Sequence, residues 1–148
     1  MKKHTLFFCM MIVLLSCSND TNNTITANTN EPILIVKGIL NYNTVFGQEN
    51  MVIATNTEWQ ALIASMQSIN ENVIDDFTET TIDFEAYMVI AVFDIKNSTT
   101  SIDITSVTEN DNNIVISVDN LNIGITQDVA HPYHIIKIRK SSKPIVFE

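Results

Sequence analysis

Apolar residues recur with a helical period in one segment of the chain, between residues 58 and 69. Five of them fall at positions i, i+3, i+4, i+7 and i+10, which places them on one face of a helix: Trp59, Leu62, Ile63, Met66 and Ile69. Thr57 and Gln60 have the spacing of a capping box. We therefore predict a helix over about 57–69 that packs against a sheet, with a groove-binding amphipathic helix as the alternative.

The other apolar segments are short and predict β-strands. They lie at 33–40, 51–54, 87–93, 101–108, 114–118, 133–140 and 145–147. The segment 87–93 (YMVIAVF) is apolar on both faces, so it should form a central strand. One helix on a mainly antiparallel sheet makes this an α+β domain.

Two local features refine the predicted strands. Ile102 and Ile104 share one face of their strand and Val107 is out of phase with them, which predicts a bulge. The polar link 109–113 (ENDNN) is rich in turn-forming residues and predicts a hairpin to the next strand, where Ile114 begins a clean alternation.

The N-terminus carries an apolar run at 6–15, preceded by Lys2 and Lys3 and followed by Ser16 and Cys17. A membrane-spanning helix needs about 20 apolar residues, so the run fits the short core of a signal peptide. Leu-Leu-Ser-Cys has the form of a bacterial lipobox. We predict that residues 1–16 are removed and that Cys17 carries covalent diacylglycerol and an N-acyl chain, with no other cofactor. An ordinary cleaved signal is the alternative.

After Cys17 the chain divides into a tether and one domain. Residues 17–31 are almost entirely polar and cannot bury enough apolar surface to offset the entropy of ordering, which predicts a disordered tether. Residues 32–148 have the length of a single domain. Ser18 is not the aspartate that often retains a lipoprotein at the inner membrane, so we expect the outer membrane, with the domain on its periplasmic or surface face.

Processing would also change the charge and the cysteine content. Without Lys2 and Lys3, six basic residues oppose all 17 acidic residues, and the formal charge moves from −9 to −11. Such a charge disfavours nucleic acid and anionic lipid as partners. Cys9 leaves with the signal and acylation uses Cys17, so the mature chain has no pair of thiols for a disulfide.

Three segments resemble the C-terminal domain of PrcB-type lipoproteins, which are accessory subunits of a cell-surface protease complex. They are the Ile-Asp-Phe at 82–84, the final-strand motif PYHIIKI at 132–138, and GQENMVIATNTEWQAL at 47–62. The resemblance covers about residues 45–147. It implies an α+β domain without catalysis that binds and stabilises a partner in the cell envelope, with a protease complex as the expected partner.

One loop departs from that family, and it leads to the candidate partner contacts. Where the family has Thr-Gly-Gly, this chain has Ser-Thr-Thr, ending in Thr99 and Thr100. The connection 119–128 (DNLNIGITQD), with Asn122 and Gly124, is the second candidate. A third is the basic cluster at the end of the last long strand: Arg139, Lys140 and Lys143. Solvation of a strand end is the alternative for these bases.

Catalytic and metal-binding patterns are weak in this sequence. His131 and His134 lie three apart, so they should point to opposite faces of a strand, and Pro132 suggests that His131 lies in the preceding turn. The acidic residues before the central strand lack EF-hand spacing: Asp75, Asp76, Glu79, Asp83 and Glu85. We therefore expect no enzyme, no metal and no nucleic-acid partner. Alternatives to partner binding are a small-ligand or glycan-binding lipoprotein and a protease-inhibitor-like domain.

Overall fold

The computed structural model describes residues 31–41, 45–97, 101–119 and 128–148. These residues form one α-helix, α1 (Asn56–Gln67), and one short 3-10 turn, Val73–Asp76. The strands are β1 (Ile33–Leu40), β2 (Glu49–Ile53), β3 (Tyr87–Phe93), β4 (Lys96–Asn97), β5 (Asp103–Glu109), β6 (Ile114–Asp119), β7 (Val129–Arg139) and β8 (Ile145–Phe147). The α+β class predicted from the sequence is confirmed, since mostly antiparallel strands and a single α-helix make up the described part of the chain.

Four strands form the main sheet in the order β1-β7-β3-β2, with all pairs antiparallel and β4 added to β7. β3 lies between β7 and β2, and Met88 through Phe93 are all buried. The prediction of a central strand at 87–93 is therefore confirmed. Its lack of polar alternation follows from burial on both faces.

The second sheet, which we call the small sheet, has the order β5-β6-β8. β5 and β6 form the predicted hairpin, closed by Asn110 N–H donating to Asn113 O at 2.8 Å. The predicted bulge is present, since the β5–β6 register shifts between Ile104 and Ser106. β8 pairs with β6 in parallel, an arrangement that the sequence pattern does not predict.

Helix α1 begins one residue before the predicted 57, and its N-cap lies two residues before the predicted Thr57. Thr55 is the N-cap, and the capping box joins it to Glu58: Glu58 Oε2 accepts from the backbone N–H of Thr55 at 3.1 Å, and Glu58 N–H donates to Thr55 Oγ1 at 3.3 Å. The predicted box between Thr57 and Gln60 was wrong. The apolar period fixes which face is buried but not where the helix starts, and two threonine pairs were available.

The main sheet separates two apolar cores. On one face, α1 buries Trp59, Leu62, Ile63 and Met66 against the sheet. On the other face, the small sheet packs against Met88, Ile90, Ile136 and Ile138 through Ile114 and Ile116. The predicted packing of α1 on a sheet is confirmed, and the fold has three layers: helix, main sheet and small sheet.

β7 is longer than predicted and includes His131. His131 pairs with Leu40 of β1, so its placement in a turn before the strand was wrong. Pro132 is tolerated because it lies between the last β3 pair, Phe93 with Tyr133, and the β4 pair of Lys96 with Ala130. The ladder changes partner strand there, and a missing N–H costs least at such a junction.

Candidate binding surface

A pocket of about 190 Å³ lies where the main sheet and the small sheet diverge, at the end of β3. We call it the edge pocket. Its described lining comes from both sheets: Gln48, Asn50, Phe93, Asp94, Ile102, Val118, Phe147 and Glu148. Apolar side chains thus form the walls, and amides and carboxylates supply the polar groups.

Asp94 is the most buried charged group of the edge pocket, with 4% of its surface exposed. Its Oδ1 accepts from the backbone N–H of Ile95 at 2.7 Å, and its Oδ2 lies 2.6 Å from Lys96 Nζ. Since a buried carboxylate is costly without a partner, this ion pair explains how the charge is accommodated. The remaining carboxylate of the lining, that of Glu148, accepts from Ser117 Oγ at 3.3 Å.

The edge pocket adjoins β2, which is a terminal strand of the main sheet. Gln48 and Asn50 are two residues apart, so along a strand they share a face with Val52. Val52 is 41% exposed. The small sheet therefore leaves part of the β2 face uncovered, next to the pocket.

Most of the partner contacts predicted from the sequence lie outside the described residues. These are Thr99, Thr100, Asn122 and Gly124. The predicted acylation site, Cys17, also lies outside the described residues. Two described residues close to those loops in the chain, Ile102 and Val118, line the edge pocket. The roles of the loops stay predictions.

The predicted basic cluster is described, and its members bind groups of this chain. Lys140 Nζ donates to Phe84 O at 2.6 Å, and Lys143 Nζ lies 2.6 Å from Glu109 Oε1. The Arg139 guanidinium lies over the Tyr87 ring, 5.3 Å from its centroid. These contacts fit the structural alternative for the cluster, and a contact between Arg139 or Lys140 and a partner stays a prediction.

The two histidines of β7 face different layers, as strand geometry predicts. Tyr133 and Ile135 belong to the helix-side core, and His131 shares their parity. His134 lies on the small-sheet side, where its Nδ1 accepts from the Ile104 N–H at 3.0 Å. A shared metal site for His131 and His134 is incompatible with this placement.

His134 belongs to a polar cluster with Asp103 and Lys37. Asp103 Oδ1 lies 3.6 Å from His134 Nδ1 and forms an ion pair with Lys37 Nζ. Burial lowers the pKa of His134, Asp103 opposes that shift, and Lys37 reinforces it. The hydrogen bond from Lys37 lowers the pKa of Asp103. The cluster thus holds a neutral histidine between the two sheets.

The acidic residues before β3 are divided among different contacts. Glu79 forms an ion pair with Lys137, and Asp83 Oδ1 accepts from the Glu85 N–H at 3.0 Å. Among the described residues, no group of three or more His, Cys, Asp or Glu side chains is placed to hold a metal ion. Within the same ranges, no helix has the length and apolar character needed to cross a membrane.

A scan against protein-family models and searches of the curated proteins and of the solved structures found no match to this chain. The resemblance to PrcB-type lipoproteins therefore stays a prediction. The edge pocket itself was missed by sequence reasoning, because its lining comes from segments far apart in the chain. The one available signal was the polar Gln48 and Asn50 beside a strand with an apolar face.

Proposed function

We propose that this protein is a non-catalytic lipoprotein of the cell envelope that binds and stabilises a partner protein, with a protease complex as the partner. The observation that carries the proposal is the edge pocket beside the terminal strand β2. A strand edge and a neighbouring pocket together offer main-chain pairing and side-chain recognition, which is how many proteins bind peptide segments.

The size of the edge pocket favours a protein partner over a free small ligand. Pockets for drug-sized ligands measure about 300–1,000 Å³, and this pocket measures about 190 Å³. A single side chain of a partner is a better match to that volume. The alternative of a small-ligand or glycan-binding lipoprotein is therefore ranked second.

The proposed anchor suits a partner at or near the membrane. Each buried acyl CH₂ contributes about 0.8 kcal/mol, so several chains on Cys17 would hold the protein stably. A tether over residues 18–31 would reach at most about 50 Å when fully extended. Within that distance the domain could meet a neighbouring envelope protein while it stays attached.

The experiment is chemical cross-linking of the lipidated protein in its native membranes, followed by purification and identification of what is attached. We expect a secreted or surface protease. Recovery of no protein partner from membranes in which the domain is folded and abundant would overturn the proposal.

A deletion strain separates the proposal from the inhibitor-like alternative. A stabilising subunit predicts that the partner protease becomes less abundant when this protein is absent. An inhibitor predicts increased proteolysis at unchanged protease abundance. The same strain, complemented with the full chain, provides the control.

A further inference from the structure

The two terminal strands of the main sheet differ in how their outer edges are covered. At β1, Thr78 donates its backbone N–H to Ile35 O at 2.9 Å and its Oγ1 hydroxyl to Leu34 O at 2.9 Å. For β2, the backbone hydrogen bonds within the described residues are those of its ladder with β3. Thr78 thus covers the start of the β1 edge, whereas the edge of β2 is available for pairing along its whole length as far as the described residues go.

The sequence of β2 does little to prevent such pairing. Natural edge strands are commonly protected by lysine, proline or a bulge. β2 reads Glu-Asn-Met-Val-Ile, and its register with β3 runs without a shift from Glu49 to Ile53. One glutamate at its start is the strand's single charge.

The charges around the edge pocket favour a cationic group. Lys96 already balances the charge of Asp94. Glu148 of the lining is exposed and forms no ion pair among the described residues. Glu49 points to the opposite face of β2 from Asn50, so its charge is not counted with the pocket. Since the walls include Phe93 and Phe147, the matching ligand has an apolar stem and a positive end, as lysine and arginine do.

We propose that the partner contributes an extended segment that pairs with β2, and that a lysine or arginine of this segment enters the edge pocket. In a paired strand, the residue directly opposite Asn50 points to the same face as Asn50, and that is the face of the pocket. The inference rests on the proposed function and specifies the chemistry of the partner's contact.

The test uses the full-length lipidated chain in detergent and three nine-residue peptides as probes. The peptides share an alternating Thr-Val sequence, carry fluorescein at the N-terminus and an amide at the C-terminus, and differ only at the central residue, which is Arg, Leu or Glu. Fluorescence anisotropy at one fixed salt concentration gives the Kd values. We expect the Arg peptide to bind at least tenfold more tightly than the Glu peptide.

Two changes identify where and how the Arg peptide binds. The Glu148→Gln protein should lose most of the preference for Arg, whereas the matched control Glu71→Gln, with the same change in net charge, should keep it. N-methylation of alternate backbone amides on the edge-pairing side should weaken binding at least tenfold. Circular dichroism checks that both variants remain folded.

Each contrary result overturns a defined part of the inference. Equal affinity for the three peptides, or absence of binding at about 1 mM peptide, overturns the basic anchor in the pocket. Insensitivity to N-methylation overturns pairing with β2. If cross-linking recovers the same partner with wild-type and Glu148→Gln proteins, the proposed function stands and this inference fails.

Discussion

Gly38 lies in β1 opposite Tyr133, and the two residues are in close contact. A Cβ atom at position 38 would lie 2.7 Å from the Tyr133 hydroxyl oxygen and 3.0 Å from the ring carbon that bears it. Tyr133 is 3% exposed, and its ring stacks on Phe93 with a centroid distance of 6.1 Å. The ring therefore has little room to move.

We predict that Gly38→Ala lowers the free energy of unfolding by about 1–3 kcal/mol, the usual cost of overpacking. Urea denaturation measures it. Gly47→Ala is the matched control, because nothing lies within 4 Å of its added Cβ, and its stability should stay within about 0.5 kcal/mol of wild type. Equal losses in the two variants would contradict the packing argument.

His134 gives the fold a pH dependence of known sign. Its Nδ1 accepts a hydrogen bond from Ile104, and burial lowers its pKa from the ordinary value of 6.5. Below pH 6.5 the unfolded chain therefore binds a proton at this position that the folded chain excludes. Stability should fall as the pH decreases from 7 towards 5, with a slope of at most about 1.4 kcal/mol per pH unit from this group.

The measurement is urea unfolding at several pH values between 7 and 5. His134→Asn keeps an acceptor for the Ile104 N–H and does not titrate, so its stability should change less over this range. Asp103 has a lowered pKa, and its contribution is lost only as the pH falls below its ordinary value of 3.8, outside this window. An unchanged slope in His134→Asn would assign the dependence to other groups.

At the scale of elements, the start of α1 depends on one capping box. Thr55 and Glu58 each bind a backbone N–H of the other. Hydrogen bonds from the Ala54 N–H, the Thr55 hydroxyl and the Thr55 N–H to the Glu58 carboxylate lower the pKa of Glu58. We predict that Thr55→Ala destabilises the domain by about 0.5–2 kcal/mol. Thr57 is the second residue of the helix, and Thr57→Ala should be close to neutral. Thermal unfolding followed by circular dichroism compares the stabilities of the two variants.

Apolar periodicity predicted the elements well and their ends less well. The strands 33–40 and 87–93 followed from their continuous apolar runs. The bulge in β5 followed from a break in side-chain alternation, because a half-buried strand keeps its apolar residues on one face. The N-cap of α1 and the N-terminal half of β7 did not. Caps depend on hydrogen bonds that several neighbouring residues can make. Pro132 made residues 129–132 look like a turn, although they belong to β7, which changes its pairing partner from β3 to β4 at that point.

At the scale of the whole molecule, the edge pocket could not be predicted from sequence. Its residues come from β2, the end of β3, β6 and β8, and they meet only because β8 pairs in parallel with β6 under the main sheet. No local pattern of apolar and polar residues predicts the pairing of β6 with β8. Of the partner contacts predicted in loops, Thr99 and Thr100 depended instead on a family resemblance, and Asn122 and Gly124 on the choice of 119–128 as the exposed loop of an inhibitor-like domain.

The proposed attachment to a membrane gives a prediction for the complete chain. Cys17→Ser should abolish incorporation of radiolabelled palmitate and move the protein from the membrane fraction to the soluble fraction, because acyl chains supply the anchoring. Cys9→Ser is the control, since the predicted signal peptide carries it away, and it should retain the label. Labelled Cys17→Ser protein would refute lipidation at this cysteine.

The pairing of β1 with β7 has a consequence for biogenesis. Ile33 pairs with Lys137 and Leu40 with His131. The first strand of the domain, β1, therefore cannot enter the main sheet until β7, the last strand but one, has been made. Contacts so distant in sequence slow folding and leave apolar strands exposed in the meantime. A chain delivered N-terminus first across a membrane would therefore emerge with β1 unpaired, and we expect it to need a periplasmic chaperone until β7 arrives.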